Sequence, residues 1–356
     1  MGKSKGEVEG MGVNFWHTKK TLITGHTGFK GAWLCKILER CGADVIGYAL
    51  APVSEPNLYN LCKTDIKSFI GDIRDFDRLL SVFNENRPEI VIHMAAQPLV
   101  LDSYKKPRYT YDVNVMGTVN ILECIHQSSG VKSFLNVTTD KVYFNLEKGD
   151  GYKEDEKLCG LDPYSNSKSC SELISYSYSN AFLKTEGISV STARSGNVIG
   201  GGDFSENRII PDCAKFLSDN EAIKIRNPNS VRPYQHVLDT LFAYLLIAEK
   251  QYVDSSYSGS YNIGPKESDC VTNGILADYF CNAWGNGAKW EQAQIANPHE
   301  SGLLKLNCDK IKQSLNWTPK WNTQHAVFET ARWYKSYYGN DDYSGVMEEQ
   351  IEEFFE

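Results

Sequence analysis

Thr21-Leu22-Ile23-Thr24-Gly25-His26-Thr27-Gly28-Phe29-Lys30-Gly31 leads from a short β-branched run into a glycine triplet. The first four residues read as a strand, and Gly28 to about Cys41 as a helix. Glycines without Cβ atoms let the backbone turn sharply and approach a pyrophosphate, and the helix N-terminus adds N–H donors and a favourable dipole. Such triplets also serve ordinary turns, but the strand–turn–helix setting is the one a dinucleotide site requires. Gly25, His26, Thr27, Gly28, Phe29, Lys30 and Gly31 are therefore candidate cofactor-binding residues.

The pattern repeats outward from this turn. Strands are predicted at 44–48, 67–70, 90–93, 133–137 and 188–193, with helices over 75–86 and 107–127 and another opening at Asp162-Pro163. Alternation of this kind specifies βαβ units, so the fold class is α/β, a Rossmann-like doubly wound parallel sheet. After about Gly196 the alternation weakens. Residues 17–195 are read as the dinucleotide-binding domain with the catalytic residues, and 196–340 as a smaller, mostly helical substrate lobe with some segments returning to the first domain. Residues 1–16 read as a loose leader, and the acidic tail 341–356 as a solvated helix end.

Composition narrows the function. Of 356 residues 41% are hydrophobic and 23% charged, so a sizeable core is available. A net charge of −8 disfavours nucleic acid or an anionic membrane as partner, though not a small anion held by a few local donors. No apolar run approaches the ~20 residues of a membrane span. The N-terminal stretch has neither a signal-peptide core nor a myristoylation pattern. Ten cysteines without a CxxC pair read as reduced thiols in the cytoplasm. The seven histidines lack metal-ligand spacing, and Cys124 and His126 would point to different helix faces, so no metal is expected.

Tyr164-Ser165-Asn166-Ser167-Lys168 carries the chemistry. With Asp162 as N-cap and Pro163 as first helical residue, Tyr164 and Lys168 share one face. The helix dipole and the ammonium both favour a phenolate, drawing a pKa of ~10 towards neutrality and making Tyr164 a general base. Thr139 and Asp140 follow the strand Ser133–Val137 at the sheet edge where doubly wound folds bind ligands, and Asn114 lies in the preceding helix. Strand two ends without an acidic residue for the adenosine ribose and without an Arg for a 2′-phosphate, so these residues leave NAD and NADP both open.

The wide glycine spacing and the set Thr139, Tyr164, Lys168 and Asn114 resemble the extended short-chain dehydrogenase/reductase superfamily. That resemblance adds Asp72, Ile73, Ala95, Ala96, Asn114, Tyr164 and Lys168 to the cofactor set, although Asp72 reads equally well as a helix N-cap. A closer likeness lies in six blocks: Gly25–Gly31, His93–Val100, Asp162–Lys168, Gly196–Asp203, Arg232–Leu238 and Asn297-Pro298-His299-Glu300. Together, over about residues 15–338, they are similar to the CDP-glucose 4,6-dehydratases.

The resemblance implies conversion of CDP-glucose to CDP-4-keto-6-deoxyglucose and water, with hydride carried from C4 to C6 by NAD. Tyr164 takes the 4-hydroxyl proton, Thr139 hydrogen-bonds the oxygen at C4, and Asp140 protonates the leaving 6-hydroxyl. Lys141 stands where dTDP-glucose dehydratases have Glu; it is either the C5 base or an electrostatic stabiliser of the enolate. An acid–base pair beyond Tyr and Lys points to elimination rather than epimerisation. For the substrate, Asn197 and Arg232 are expected at the diphosphate, with Arg208 (and Asn207) weaker candidates. Gln97 and Ser103 are candidates for sugar hydroxyls, with Gln97 reading also as a loop residue that satisfies backbone, and His236 is either substrate-facing or a core histidine. The cytidine preference rests on the likeness alone. A homodimer through helices 107–127 and 162–182 and a role in lipopolysaccharide O-antigen deoxysugar supply are family-level expectations. Another nucleotide-sugar dehydratase or epimerase, or a noncatalytic dinucleotide sensor, remains the alternative reading.

Overall fold

A computed structural model describes residues 13–293 and 303–355. The block Asn297–Glu300, most of the leader and the last residue of the tail lie outside the described residues. Strands β1 (Lys20–Thr24), β2 (Asp44–Ala49), β3 (Lys67–Ile70), β4 (Ile90–His93), β5 (Ser133–Val137) and β6 (Ser189–Ser195) join the strand Gly259–Ile263 in one seven-stranded sheet. The order is Gly259–Ile263, β6, β5, β4, β1, β2, β3, and every pairing is parallel.

Buried strands of this kind present apolar side chains to both faces. Leu22, Val91 and Phe134 pack towards the helices Phe76–Asn86 and Gly117–Gln127 through Leu79, Phe83, Ile121 and Leu122. Their neighbours Ile23, Ile92 and Leu135 face Trp33 and Leu34 of the helix Phe29–Arg40 and Leu241 and Leu245 of the helix Val237–Val253. The chain crosses from β3 back to β4 on the other side of β1. This reversal opens a crevice at the strands' C-terminal ends, where Gly25 and Ala95 meet.

Beyond β6, Asn197–Ile199 pairs with Tyr234–His236, Val231–Arg232 with Val271–Thr272, and Ile223–Ile225 with Trp290–Gln292. No helix among the described residues is long and apolar enough to cross a membrane. The ten cysteines are all free.

Two expectations are corrected at the chain ends. Trp16 is fully buried and Phe15 packs edge-on to Tyr252 at 5.2 Å, so the end of the supposed loose leader is core. The acidic tail forms the helix Tyr343–Phe355, which is docked rather than solvated: Met347, Ile351, Phe354 and Phe355 are buried. Phe354 meets Phe242 and Trp321 at 6.1 and 5.4 Å. These positions form one apolar stripe at helical spacing, which the surrounding glutamates obscure in the sequence. Glu348 pairs with Lys36 and Arg40 at 2.8 and 2.6 Å, and Glu352 with Arg40 at 2.9 Å. Phe354→Ala is expected to cost about 3–5 kcal/mol in urea unfolding. An unchanged midpoint would show that this helix does not dock.

Candidate active site

Each glycine of the turn has its own reason. Gly25 has φ +78°, and a Cβ there would lie 2.8 Å from the Ala95 backbone nitrogen. A Cβ on Gly31 would sit 2.2 Å from the Gly25 carbonyl oxygen, so these two bring helix and strand together. Gly28 is the N-cap of Phe29–Arg40 and meets only the Gly25 oxygen, at 3.4 Å. No side chain caps this helix, which leaves its first N–H groups to a ligand. The cradle therefore fits a dinucleotide pyrophosphate.

The flanking candidates divide. Thr27 Oγ1 donates to the Leu50 carbonyl at 2.9 Å, tying the turn to the end of β2. His26 is corrected as a side-chain ligand: its ring is buried against Gly47, Nε2 lies 2.7 Å from Ser68 Oγ, and burial holds it neutral with a pKa lowered to about 4. Phe29 packs near Gly200. Lys30 Nζ donates to Tyr244 Oη at 3.2 Å, and burial, with Arg208 nearby, lowers its pKa to about 8. Asp72 is not a helix N-cap; Asp75 fills that place, accepting from the Arg78 N–H. The Asp72 carboxylate instead grips Arg74 at 2.6–3.1 Å, which holds it below the usual carboxylate range. Ile73 is buried against Gly117.

The loop after β4 is held from both sides. Thr24 Oγ1 accepts from the N–H groups of Met94 and Ala95, each at 3.1 Å, which sets Ala95 and then Ala96 at the crevice. Asn114 accepts from the Gln97 N–H at 2.8 Å and donates to the Gln97 carbonyl at 3.1 Å and to Ser167 Oγ at 2.9 Å. It joins this loop to the helix that carries Tyr164 and Lys168. The expected helix 107–127 is interrupted by a π segment, Asp112–Met116, which carries Asn114.

Of the two sugar candidates Ser103 is corrected, and Gln97 follows its other reading as a loop residue. Gln97 accepts from the Leu99 N–H at 2.6 Å and donates to the Leu99 carbonyl and to Thr110 Oγ1, so its amide serves the loop. Ser103 is buried and donates to the Val100 carbonyl of its own helix at 2.7 Å.

The catalytic candidates converge. Asp162 caps the helix Pro163–Tyr178, accepting from the Ser165 N–H at 3.0 Å, with Pro163 first in the helix. Tyr164 and Lys168 accordingly share a face. Thr139 Oγ1 donates to Asp140 Oδ1 at 2.9 Å and is hydrogen-bonded to the Tyr164 phenol. Lys141 Nζ lies 3.3 Å from the same Asp140 oxygen. Asp140 is fully buried, and its Oδ2 has no hydrogen-bond partner among the described residues.

The electrostatics correct one expectation. Burial raises the Tyr164 pKa, opposed first by Lys141, then by Thr139 and Arg208. Lys168 is not among these groups. Its ammonium turns inward to the Val137 carbonyl at 3.0 Å, and burial together with Lys30 lowers its pKa to about 7.

At the substrate end, Asn197 stands opposite Tyr234 in paired strand segments, two residues from Arg232. Arg232 is buried and donates to the Val231 carbonyl at 2.9 Å. Arg208 pairs with Asp203 at 3.0 Å while remaining near Tyr164 and Lys30. Asn207 has φ +61°, and its carbonyl accepts from Arg226. Of the two readings of His236, the core histidine is the one the structure gives. Its Nδ1 caps the helix Val237–Val253, its ring lies 4.7 Å from Trp321, and burial lowers its pKa to about 3.

Sequence reasoning missed a buried network beside the site. Glu172 pairs with Arg194 at 2.9 Å and accepts from Thr138 and Thr192; Arg194 in turn donates to Tyr143 Oη at 2.8 Å. The available signal was spacing, since Glu172 continues the Tyr164–Lys168 face by one more turn.

Comparison with known proteins agrees with this geometry. The family model described as GDP-mannose 4,6 dehydratase matches residues 22–330. The CDP-glucose 4,6-dehydratase of Salmonella typhimurium is 41% identical over 349 residues, covering 96% of this chain and 97% of that protein. A dTDP-glucose 4,6-dehydratase of Streptomyces antibioticus is 28% identical, covering 88% and 92%. Among solved structures, dTDP-glucose 4,6-dehydratase from Streptomyces venezuelae with NAD bound superposes with TM-score 0.77 at 25% identity, covering 90% of this chain and 98% of that one. An epimerase from Methanothermobacter thermautotrophicus shares the fold, with TM-score 0.82 at 22% identity, over 92% and 95%. The chain belongs to the nucleotide-sugar 4,6-dehydratase family described by that model, on its CDP-glucose 4,6-dehydratase branch.

Proposed function

We propose that this chain is a CDP-glucose 4,6-dehydratase, a hydro-lyase that forms CDP-4-keto-6-deoxyglucose and water. One observation carries the choice of reaction. The Tyr164 phenol, fit for oxidising a hydroxyl-bearing carbon, shares Thr139 with the buried Asp140 and its partly exposed partner Lys141, a pair fit for elimination. The cytidine preference follows the 41%-identical relative.

NAD, when bound, would supply the hydride acceptor for sugar C4 and the hydride donor for C6. The residues that would hold it are the Gly25–Gly31 turn, Asp72 and Ile73, Ala95 and Ala96, and Lys168. Tyr164 removes the 4-hydroxyl proton while Thr139 holds the oxygen at C4. The Lys141 ammonium, Thr139 and Arg208 favour the phenolate against burial. In the elimination, Lys141 as neutral amine takes the C5 proton, and Asp140 as neutral acid gives its proton to the departing 6-hydroxyl. A neutral pair differs from an ion pair only by one proton moved across the 3.3 Å contact. Lys141 later returns its proton to C5. Over the cycle Tyr164 gains a proton and Asp140 loses one, and Thr139, hydrogen-bonded to both, connects them for the reset. Asn197, Arg232 and Arg208 are assigned to the substrate diphosphate, Arg for its forked donors.

We also assign a homodimer. Met116, Leu173, Tyr176 and Phe182 are exposed apolar side chains on the outer faces of the two long helical segments. Leu173→Glu is expected to yield monomers by light scattering. The free thiols support a reducing, cytoplasmic setting.

The function is tested by incubating the protein with NAD and, separately, CDP-, dTDP-, GDP- and UDP-glucose, following the C6 methyl doublet by NMR. CDP-glucose is expected to lead in kcat/KM by at least about 10-fold. Product from another nucleotide sugar alone would overturn the base assignment, and none from any would overturn the reaction.

A further inference from the structure

Glu172 lies one turn beyond Lys168 on the helix Pro163–Tyr178, and both side chains are buried. Residues four apart on a helix face have Cβ atoms about 5–6 Å apart. A carboxylate buried at this depth is costly unless it is paired and hydrogen-bonded. Here Arg194 of β6 supplies the pairing at 2.9 Å, Thr192 donates at 2.7 Å, and Thr138 donates from the residue before Thr139. Arg194 is itself fixed by Tyr143 Oη and the Glu154 carbonyl, both at 2.8 Å.

We propose that Glu172, held in place by Arg194, is a positioning residue of the active site: its carboxylate is the counter-charge of the Lys168 ammonium and, through Thr138, ties that ammonium's helix to the strand end bearing Thr139 and Asp140. This rests on the catalytic reading of Lys168. The groups facing Lys168 from other elements are Lys30 of the helix Phe29–Arg40, His93 of β4 and the Val137 carbonyl of β5. Lys30 opposes its positive charge and burial does the same; among the described residues, Glu172 is the charged neighbour that favours it. Arg194 pairs with the Glu172 carboxylate at 2.9 Å and donates to Tyr143 Oη. Lys310 lies beyond it, near Glu154.

The sign of each substitution follows. Glu172→Gln keeps the side-chain shape but leaves Lys168 under burial, Lys30 and an unpaired Arg194, all disfavouring the ammonium. Arg194→Gln leaves Glu172 with its whole charge available to Lys168. In 15N-lysine-labelled, ligand-free protein, with the Lys168 Nζ signal assigned by its loss in Lys168→Arg, the Lys168 titration midpoint is expected to fall by about one pH unit or more in Glu172→Gln and to rise in Arg194→Gln. With NAD and CDP-glucose, the alkaline limb of the first oxidation should move in the same two directions. A merely structural network would lower the unfolding temperature in both variants and leave the midpoint in place, which would overturn the proposal. If either single variant does not fold, the double variant Glu172→Gln/Arg194→Gln, with no unpaired buried charge, is expected to show a lowered midpoint because Glu172 is the nearer charge. An unmoved midpoint there would overturn it too. A shifted midpoint without dehydration would count instead against the dehydratase reading.

Discussion

Tyr164→Phe is expected to lower the rate of the first oxidation by roughly 10²–10⁴-fold, the range a positioned general base contributes. The substitution removes one oxygen from a half-buried ring whose helix is already capped by Asp162 and started by Pro163. Folding and affinity for CDP-glucose should therefore change little. The near-ultraviolet band of the reduced cofactor in a single turnover measures the step. Its pH dependence adds a second check. The oxidation should accelerate as pH rises and Tyr164 loses its proton, because burial holds the phenol above its ordinary value. Arg208→Gln removes one of the groups opposing that effect, so the rising limb should move to higher pH. A Tyr164→Phe enzyme that oxidised at the normal rate would place the base elsewhere.

The second large effect separates the two halves of the reaction. Lys141→Met is expected to cut release of the 4-keto-6-deoxy product by roughly 10²–10⁴-fold while oxidation at C4 continues, so the reduced-cofactor band should rise and stay. Lys141 is also the group that most opposes the rise in the Tyr164 pKa. The oxidation will accordingly be slower at neutral pH and should recover as pH is raised. Asp140→Asn should stall at the same stage, since an amide fills the buried position but has no acidic proton to deliver. If Lys141→Met eliminated water at the normal rate, its assignment as the C5 base would be wrong and Lys141 would remain only an electrostatic neighbour of Tyr164.

How far the chain could be read in advance depends on the range of the interactions involved. The glycine turn and the Tyr164–Lys168 face are local, set by a few adjacent residues and helical spacing, and the structure realises both. The parallel sheet is legible too, because the alternation of strands and helices specifies βαβ units, whereas its strand order is not written in any one of them. Side-chain direction is another matter. Gln97, Ser103 and His236 stand in stretches beside the site, yet the Gln97 amide, the Ser103 hydroxyl and His236 Nδ1 are taken up by Leu99, Val100 and Leu238. Nothing in the local pattern says which way such a side chain turns. The Glu172–Arg194 pair joins a helix to a strand, and each residue alone reads as an ordinary charge. The tail was obscured for a related reason: its stripe of Met347, Ile351, Phe354 and Phe355 acquires meaning only when Phe242 and Trp321 are there to receive it.

The central claim is that one molecule of sugar is oxidised at C4, loses water, and is reduced at C6 by the same hydride. CDP-glucose carrying deuterium at C4 tests it directly. Incubated with the protein and NAD, it should give CDP-4-keto-6-deoxyglucose whose C6 methyl group carries that deuterium, with none lost to water. Deuterium found at C4 of a hexose whose C4 configuration has been inverted would contradict the account and identify an epimerase. Deuterium released to solvent would contradict the internal transfer.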